Sequence, residues 1–283
     1  MGEVTSSKIS ALTFTGYDGK TLSVIVQTAN QSIKSQPVLW IVHGSGGVSS
    51  CDELWAKAAM YRGYTVVWID HYSPRNIYKF NHTHDETVYL YHYHLAIDVH
   101  NALDTLVSMQ HVIPFADLNN INLVGFSSGG STVMYTVTPE FDHSRIKKVA
   151  ALYPGIWPMT SKVITADGSK IAIYVGEDDD WTRKSHCDIF CSIVPNVKLT
   201  SYPNTKHSFS KPGSGGFYHD IHNISLVPFE VPTPISETLN FNGKYREIFK
   251  EWEGKYFGAH AEYNHDSTMH AINDFLNSTI TGE

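Results

Sequence analysis

Short apolar runs alternate with amphipathic segments along most of this chain. Two early runs, at 9–14 and 22–27, flank Tyr17-Asp-Gly-Lys20. An Asp-Gly pair between two such runs is typical of a tight turn, so these residues predict an antiparallel hairpin. Continuous apolar runs predict buried strands at 37–42, 64–69, 147–153, 170–175 and 197–202, and a further strand that ends at Val124.

Apolar residues at helical spacing separate these strands. They predict helices over about 53–61, 88–111, 131–137, 184–193 and 267–276. Strands that alternate with helices indicate a mainly parallel sheet with helices on both faces. We therefore predict an α/β fold that begins with the antiparallel hairpin. In such folds the functional residues gather at the carboxyl ends of the strands.

The chain shows no internal repeat and no low-complexity linker, so its 283 residues predict a single domain. One segment departs from the regular pattern. Residues 211–261 are rich in Pro, Gly and aromatic residues and fall between the last predicted strand and the last predicted helix. We expect an irregular insertion there that serves as a lid, a pocket wall or an interface.

Composition narrows the class of partner. With a net charge of −7 and no long basic run, the chain is not expected to bind nucleic acid or an anionic membrane. No apolar run is long enough to span a bilayer, and the N-terminal residues lack a secretory pattern. We therefore expect a cytoplasmic protein. The composition leaves its oligomeric state open, a homo-oligomer included.

Cysteine and histidine residues raise the question of a metal site. Cys51, Cys187 and Cys191 form an odd set without framework spacing, which indicates reduced thiols. The segments His82-Thr-His84-Asp85 and His92-Tyr-His94 match no known metal signature. We expect neither a metal nor another cofactor.

The segment Gly125-Phe-Ser127-Ser-Gly129 has the G-x-S-x-G pattern and follows an apolar run. A helix-compatible segment comes next, and strand, sharp turn and helix is the context of a nucleophile elbow. A serine in such a turn sits at a strained backbone position, and glycines two residues away on either side leave room for it. Ser127 is therefore the candidate nucleophile.

A serine hydroxyl needs a base, and the base needs an acid that orients it. Both follow Ser127 in the order nucleophile, acid, base, each just after a predicted strand. His207 is the candidate base. Three consecutive acids, Asp178, Asp179 and Asp180, compete for the other role, and only one of them can reach the histidine. We favour Asp179.

Acyl transfer also requires donors for the oxyanion, and backbone N–H groups meet this need without reorganising. His43-Gly-Ser-Gly-Gly47 follows a predicted strand and supplies such a loop. The candidate donors are the amides of Ser45 and Ser128. The loop is not a phosphate-binding loop, because no G-K-S/T follows it. Tyr72, Arg75 and Trp181 are candidates for the substrate pocket.

With these residues in place, the chain resembles the dienelactone hydrolase-like branch of the α/β-hydrolase superfamily over about 37–209 and in the final helix. The resemblance rests on the segments 43–47, 70–75, 125–130, 176–182 with Cys187, and 202–207. It implies the α/β-hydrolase fold, places the acid at Asp179 and the base at His207, and implies ester or lactone hydrolysis through an acyl-enzyme without a metal. The namesake enzymes use a cysteine nucleophile, whereas this chain has Ser127.

We therefore expect a serine hydrolase of the EC 3.1.1 type that cleaves a small-molecule carboxylic ester or lactone. A serine peptidase or amidase is an alternative, because the same three residues serve both reactions. The alternative from another class is a noncatalytic α/β-hydrolase scaffold that binds a ligand. Such scaffolds usually lose a member of the triad, and this chain retains all three.

Overall fold

The computed structural model describes residues 8–30, 32–77, 92–156, 163–222 and 257–281. Its strands are β1 (Lys8–Thr15), β2 (Thr21–Thr28), β3 (Gln36–Val42), β4 (Thr65–Ile69), β5 (Ala116–Phe126), β6 (Ile146–Leu152), β7 (Ile171–Gly176), β8 (Lys198–Tyr202), β9 (Gly215–His222) and β10 (Phe257–Glu262). Its α-helices are α1 (Ser50–Tyr61), α2 (His92–Ser108), α3 (Ser128–Tyr135), α4 (Lys184–Ile193) and α5 (His265–Thr281). Single turns of 3-10 helix lie at Ser73–Arg75, Gln110–Val112, Val163–Thr165 and Gly168–Lys170.

Eight strands form one sheet in the order β1-β2-β4-β3-β5-β6-β7-β8. The predicted hairpin is confirmed, because β1 pairs with β2 antiparallel, from Lys8 opposite Thr28 to Thr15 opposite Thr21. Strand β2 is also antiparallel to β4, and every later pairing in this sheet is parallel. The predicted α/β fold with a mainly parallel sheet is confirmed.

Helices cover both faces of this sheet, and strand β3 shows how the two cores divide. Val38 and Trp40 lie in the core packed against α2, α3 and α4, whereas Leu39 and Ile41 lie in the core packed against α1 and α5. Successive side chains of a strand point to opposite faces, so an uninterrupted apolar run suits a strand that is buried on both sides.

The predicted boundaries shift where tertiary contacts decide them. Helix α1 begins at Ser50 because Ser49 and Asp52 form a capping box, in which the Ser49 amide donates to Asp52 Oδ2 at 2.8 Å. Strand β5 begins at Ala116 because it pairs with β3 from Gln36 onward. Helix α2 gives way after Ser108 to a 3-10 turn, and residues 88–91 of its predicted span lie outside the described residues.

Near both ends of the segment 211–261 the structure has strands where irregular backbone is expected. The expected role of the segment as a lid, a pocket wall or an interface stays a prediction. Strands β9 and β10 pair antiparallel, with Phe217 opposite His260 and Gly215 opposite Glu262. The period-2 alternation that would reveal such strands from the sequence is weak here, because glycines and aromatic residues interrupt it. We call this pair of strands the ribbon. The residues between its strands, 223–256, lie outside the described part.

Within the described ranges, no helix is both long and apolar enough to cross a membrane.

The turn between β5 and α3 holds Ser127 in a strained position. Its backbone has φ 53° and ψ −114°, a region that residues with a Cβ seldom occupy. A Cβ added at Gly125 would lie 2.1 Å from the carbonyl oxygen of Gly129, and one added at Gly129 would lie 2.2 Å from that of Val42. The two glycines therefore allow the strand, the helix and β3 to approach one another at this turn.

We expect Gly125→Ala to lower the free energy of unfolding by about 3 kcal/mol, the upper end of the usual cost of overpacking. The added methyl group meets backbone atoms, which cannot move aside without displacing α3. Denaturant unfolding measures the loss. Gly215→Ala is the matched control, because no atom lies within 4 Å of the position of its Cβ. A Gly125→Ala protein as stable as the control would contradict the close approach of these backbones.

Candidate active site

Three side chains from three strand ends form one hydrogen-bonded line. Ser127 Oγ lies 3.1 Å from His207 Nε2, and His207 Nδ1 lies 2.9 Å from Asp179 Oδ2. Ser127 follows β5, Asp179 follows β7 and His207 follows β8, so the parallel strands deliver all three to the same edge of the sheet. The geometry suits removal of the hydroxyl proton by the imidazole.

The structure brings only one of the three consecutive acids to the histidine. Asp178 is exposed to solvent, and Asp180 accepts hydrogen bonds from the backbone amide and the ring of His260 at 2.8 and 2.7 Å. Asp179 is buried, and its Oδ1 accepts from the amides of Trp181 and Thr182 at 2.9 and 2.7 Å. Those two bonds leave Oδ2 for His207.

Thr182 contacts the same line, although no motif of the sequence assigns it a role. Its Oγ1 lies 3.1 Å from His207 Nδ1, 3.0 Å from Asp179 Oδ2 and 3.0 Å from the carbonyl oxygen of Tyr153. The hydroxyl donates its one proton to one of these oxygens, and its own oxygen can share the Nδ1 proton. Its place three residues after the acid is the signal that could have found it, although the sequence does not specify its rotamer.

Aromatic rings contact the imidazole of His207. The buried Tyr153 ring packs edge-on with its centroid 4.9 Å from that of His207, and the half-buried Trp181 ring lies at 4.6 Å. The Tyr153 hydroxyl lies 2.7 Å from Ser210 Oγ in the interior. Trp181, a predicted pocket residue, thus lies directly beside the candidate base.

The loop after β3 lies against Ser127. A Cβ added at Gly44 would be 3.7 Å from that of Ser127. His43 Nε2 accepts from the amide of His71 at 3.2 Å, so Nδ1 carries the ring proton and donates to the Gly44 carbonyl oxygen at 2.8 Å. Burial lowers the pKa of His43 to about 4, which keeps this bridging ring neutral.

The hydrogen bond from His43 to the Gly44 carbonyl constrains one of the predicted oxyanion donors. In a trans peptide the C=O and N–H groups point in opposite directions, so fixing the Gly44 carbonyl toward His43 aims the Ser45 amide away from it. The Ser128 amide belongs to the first residue of α3, and it has no acceptor within that helix. Both predicted donors therefore belong to backbone that adjoins Ser127.

Tyr72 lies beneath this loop and is nearly inaccessible to solvent. Its ring is edge-on to His43 at 4.6 Å, and its hydroxyl interacts with the Ser128 side chain. Burial raises the pKa of this hydroxyl well above its ordinary value. The predicted pocket residue Tyr72 thus lies in the interior, beside His43 and the first residue of α3.

Arg75 does not belong to the site, which corrects the expectation that it lines the pocket. The buried guanidinium donates to both oxygens of Asp98 at 2.8 and 3.1 Å and to both oxygens of Asp18 at 3.0 and 2.9 Å. A fifth bond reaches the carbonyl oxygen of His71 at 2.9 Å. An arginine has five N–H donors, and these contacts use all of them. Arg75 holds the N-terminal hairpin and α2 to the loop after β4.

The described residues contain no group of three His, Cys, Asp or Glu side chains that could hold a metal ion. The segment 82–85 lies outside them. In the other histidine pair, burial lowers the pKa of His92 to about 4, and His94 stacks on Tyr17 with ring centroids 4.5 Å apart. Cys51 and Cys187 are free and buried, Cys191 is free and half-buried, and burial raises the pKa of all three thiols.

A cavity of about 680 Å³ lies between α5 and the amino ends of β6, β7 and β8. Its lining includes Lys148, Lys170 and Lys198. These lysines bond to Ser278, to His143 and Ile146, and to Asp274. Since Ser127 lies at the carboxyl ends of the strands, this cavity is at the other end of the sheet and takes no part in the site.

A match to the dienelactone hydrolase family covers residues 22–224, most of the chain. The chain belongs to the dienelactone hydrolase family. The match includes Ser127, Asp179 and His207, and the resemblance seen in the sequence is confirmed. Family membership makes this protein a hydrolase. No curated protein matches the sequence significantly.

Solved structures share the fold of this family member at low identity. A putative dienelactone hydrolase from Klebsiella pneumoniae subsp. pneumoniae MGH 78578 matches with a TM-score of 0.65 at 12% identity, over 98% of this chain and 99% of that one. A dienelactone hydrolase-like promiscuous phosphotriesterase from metagenomic libraries matches with a TM-score of 0.63 at 14% identity, over 98% and 99%. An esterase from Pyrobaculum calidifontis matches with a TM-score of 0.51 at 17% identity, over 71% and 78%.

Thr182→Val keeps the shape of the side chain and its backbone bond to Asp179 but removes the hydroxyl beside His207. We expect kcat for p-nitrophenyl acetate to fall about two- to tenfold, the range that one hydrogen bond supports, with little change in KM. Thr182→Ser is the matched control and should restore most of the loss. A valine variant with the wild-type kcat and pH profile would show that the hydroxyl does not position the imidazole.

The neutral His43 makes stability depend on pH. Its folded pKa of about 4 lies below the ordinary 6.5, so between these values the unfolded chain binds more protons and acid favours unfolding. We expect the free energy of unfolding of the wild type to fall relative to that of His43→Gln as the pH drops from 6.5 to 4. The relative loss is on the order of 3 kcal/mol. Parallel pH dependence of the two proteins would mean that His43 titrates normally when folded.

Proposed function

We propose that this protein is a serine hydrolase that cleaves a carboxylic ester or lactone through an acyl-enzyme. The contact between Ser127 Oγ and His207 Nε2 at 3.1 Å, with Asp179 on the other ring nitrogen, carries the proposal. The hydrolase family supports the reaction class. The esterase among the similar structures supports an ester substrate.

In the first half of the reaction, His207 takes the proton of Ser127 while Oγ attacks the ester carbonyl carbon. The carbonyl oxygen becomes an oxyanion, and the amides of Ser45 and Ser128 donate to it. Asp179 accepts from Nδ1–H and stabilises the imidazolium that forms. When the tetrahedral intermediate collapses, the C–O bond to the alcohol breaks and His207 Nε2 delivers the proton to the departing oxygen.

In the second half, a water molecule takes the place of the alcohol. His207 removes a proton from the water, the hydroxide attacks the acyl carbon, and Ser127 leaves with the proton returned by His207. Deacylation forms a second tetrahedral intermediate, and its oxyanion accepts from the same two amides. Ser127 thus performs the two steps that the cysteine nucleophile performs in the namesake enzymes.

The test combines covalent labelling with turnover. Wild-type protein should react with a fluorophosphonate probe at Ser127 and hydrolyse p-nitrophenyl acetate. Ser127→Ala should abolish labelling and lower kcat at least about a thousandfold, because the three residues act as a unit. Ser144→Ala, at an exposed serine away from the site, is the matched control and should behave as the wild type does.

Two results would overturn the proposal. If the wild type neither labels nor hydrolyses any of a panel of short-chain esters and lactones, the site is not a serine esterase. If Ser127→Ala keeps full activity, the nucleophile is another residue. Paraoxon belongs in the panel, since one similar structure is a phosphotriesterase. If the protein hydrolyses paraoxon and no carboxylic ester, its substrate is a phosphotriester and the proposed carboxylic ester is wrong.

A further inference from the structure

The ribbon is fastened to the two loops that carry the acid and the base. The Glu262 amide donates to the His207 carbonyl oxygen at 3.0 Å, and the His260 amide donates to Asp180 Oδ1 at 2.8 Å. Lys206 and Glu262 form an ion pair at 2.7 Å. The position of the ribbon is therefore tied to the backbone on either side of the catalytic line.

Neighbouring aromatic residues of β9 use opposite faces of the ribbon. The Phe217 ring packs edge-on against His260 with centroids 4.8 Å apart. The Tyr218 ring lies 6.3 Å from the Trp181 ring, at an interplanar angle of 38°. Since successive strand residues alternate in direction, the ribbon turns Tyr218 toward Trp181 and Phe217 toward the opposite face.

Trp181 and Tyr218 form a continuous surface that starts at the base. The Trp181 ring lies 4.6 Å from His207, Tyr218 extends the surface beyond it, and the Tyr218 side chain is 40% exposed. We call these two rings the aromatic surface. Two half-exposed aromatic rings beside a catalytic base offer a substrate group an apolar platform, and ring stacking on it is favourable.

The proposed reaction determines which part of the ester lies beside His207 and the aromatic surface. His207 must deliver its proton to the oxygen of the departing alcohol, so that oxygen lies within hydrogen-bond reach of Nε2. The alcohol part of the ester therefore extends past the imidazole, whereas the acyl carbon stays on Ser127. In the ribbon, the His260 ring bonds to Asp180 and the Glu262 carboxylate pairs with Lys206.

We propose that the aromatic surface of Trp181 and Tyr218 binds the alcohol part of the ester and selects alcohols that carry an aromatic ring. The inference rests on the proposed function and names the substrate class of that site. The catalytic residues come from the sheet, and the ribbon supplies the group that distinguishes one alcohol from another.

The experiment compares acetates of three primary alcohols: ethyl, cyclohexylmethyl and benzyl acetate. The acyl group is constant, and the second and third alcohols differ mainly in whether the ring is aromatic. Wild type should have the highest kcat/KM for benzyl acetate. Tyr218→Ala should lower the ratio of kcat/KM for benzyl to ethyl acetate about three- to tenfold, in the range of one aromatic pair. Tyr218→Phe keeps the ring and should keep the ratio.

Controls separate the subsite from other effects. Tyr61→Ala removes an aromatic ring that is 92% exposed on α1 and should leave the ratio unchanged. Melting temperatures establish that each variant is folded. A second pair, ethyl acetate and ethyl phenylacetate, places the ring on the acyl side, and its ratio should not respond to Tyr218→Ala.

Each failure has its own signature. If esters are hydrolysed but the benzyl-to-ethyl ratio of Tyr218→Ala equals that of wild type, the aromatic surface does not bind the alcohol and only this inference falls. If the phenylacetate ratio falls instead, the surface binds the acyl group. If no ester is hydrolysed while the protein is folded, the proposed function falls and this inference falls with it.

Discussion

The close approach of backbone around Ser127 is the constraint on which the rest of the site depends. Strand β5 ends at Phe126 and helix α3 begins at Ser128, so one residue makes the whole change of direction. The strain at Ser127 persists because β3, β6 and α3 hold the turn from several sides; the Ser127 amide donates to the Leu152 carbonyl oxygen at 2.9 Å. The same packing brings Gly44 against Ser127, and with it the loop that carries a candidate oxyanion donor.

Buried polar groups fix the loops around this turn. His43 bridges His71 and the Gly44 carbonyl, and it remains neutral because its surroundings exclude water. Beside it, Arg75 pairs with Asp18 and Asp98. Losing the cation would leave the buried Asp98 carboxylate with only the His71 ring and the Tyr17 amide as partners. These buried polar groups therefore fix the positions of the loops. The proposed chemistry depends on the three side chains of Ser127, His207 and Asp179.

The parallel sheet does not require the ribbon, and the family match covers only β9 of its two strands. Strand β10 lies beyond the residues covered by the family match, yet it bonds to the backbone of His207 and to Asp180. Divergence in such a segment alters the surroundings of the base without altering the nucleophile. This arrangement is consistent with a fold that keeps one reaction and changes its substrates through the segments around it.

The sequence by itself determined the parallel sheet, the turn at Ser127 and the order of nucleophile, acid and base. The signals are local: uninterrupted apolar runs, a glycine pair at fixed spacing, and polar residues at strand ends. They can be recognised without knowledge of the tertiary contacts. The family resemblance implied Asp179 rather than Asp178 or Asp180, and the fold decided the matter by burying that carboxylate against His207. Only the tertiary structure decided that Thr182 adjoins the imidazole, that Arg75 pairs with two carboxylates away from the site, and that Tyr218 lies beside Trp181. Those contacts join residues far apart in the chain or depend on a rotamer, and neither leaves a periodic trace in the sequence.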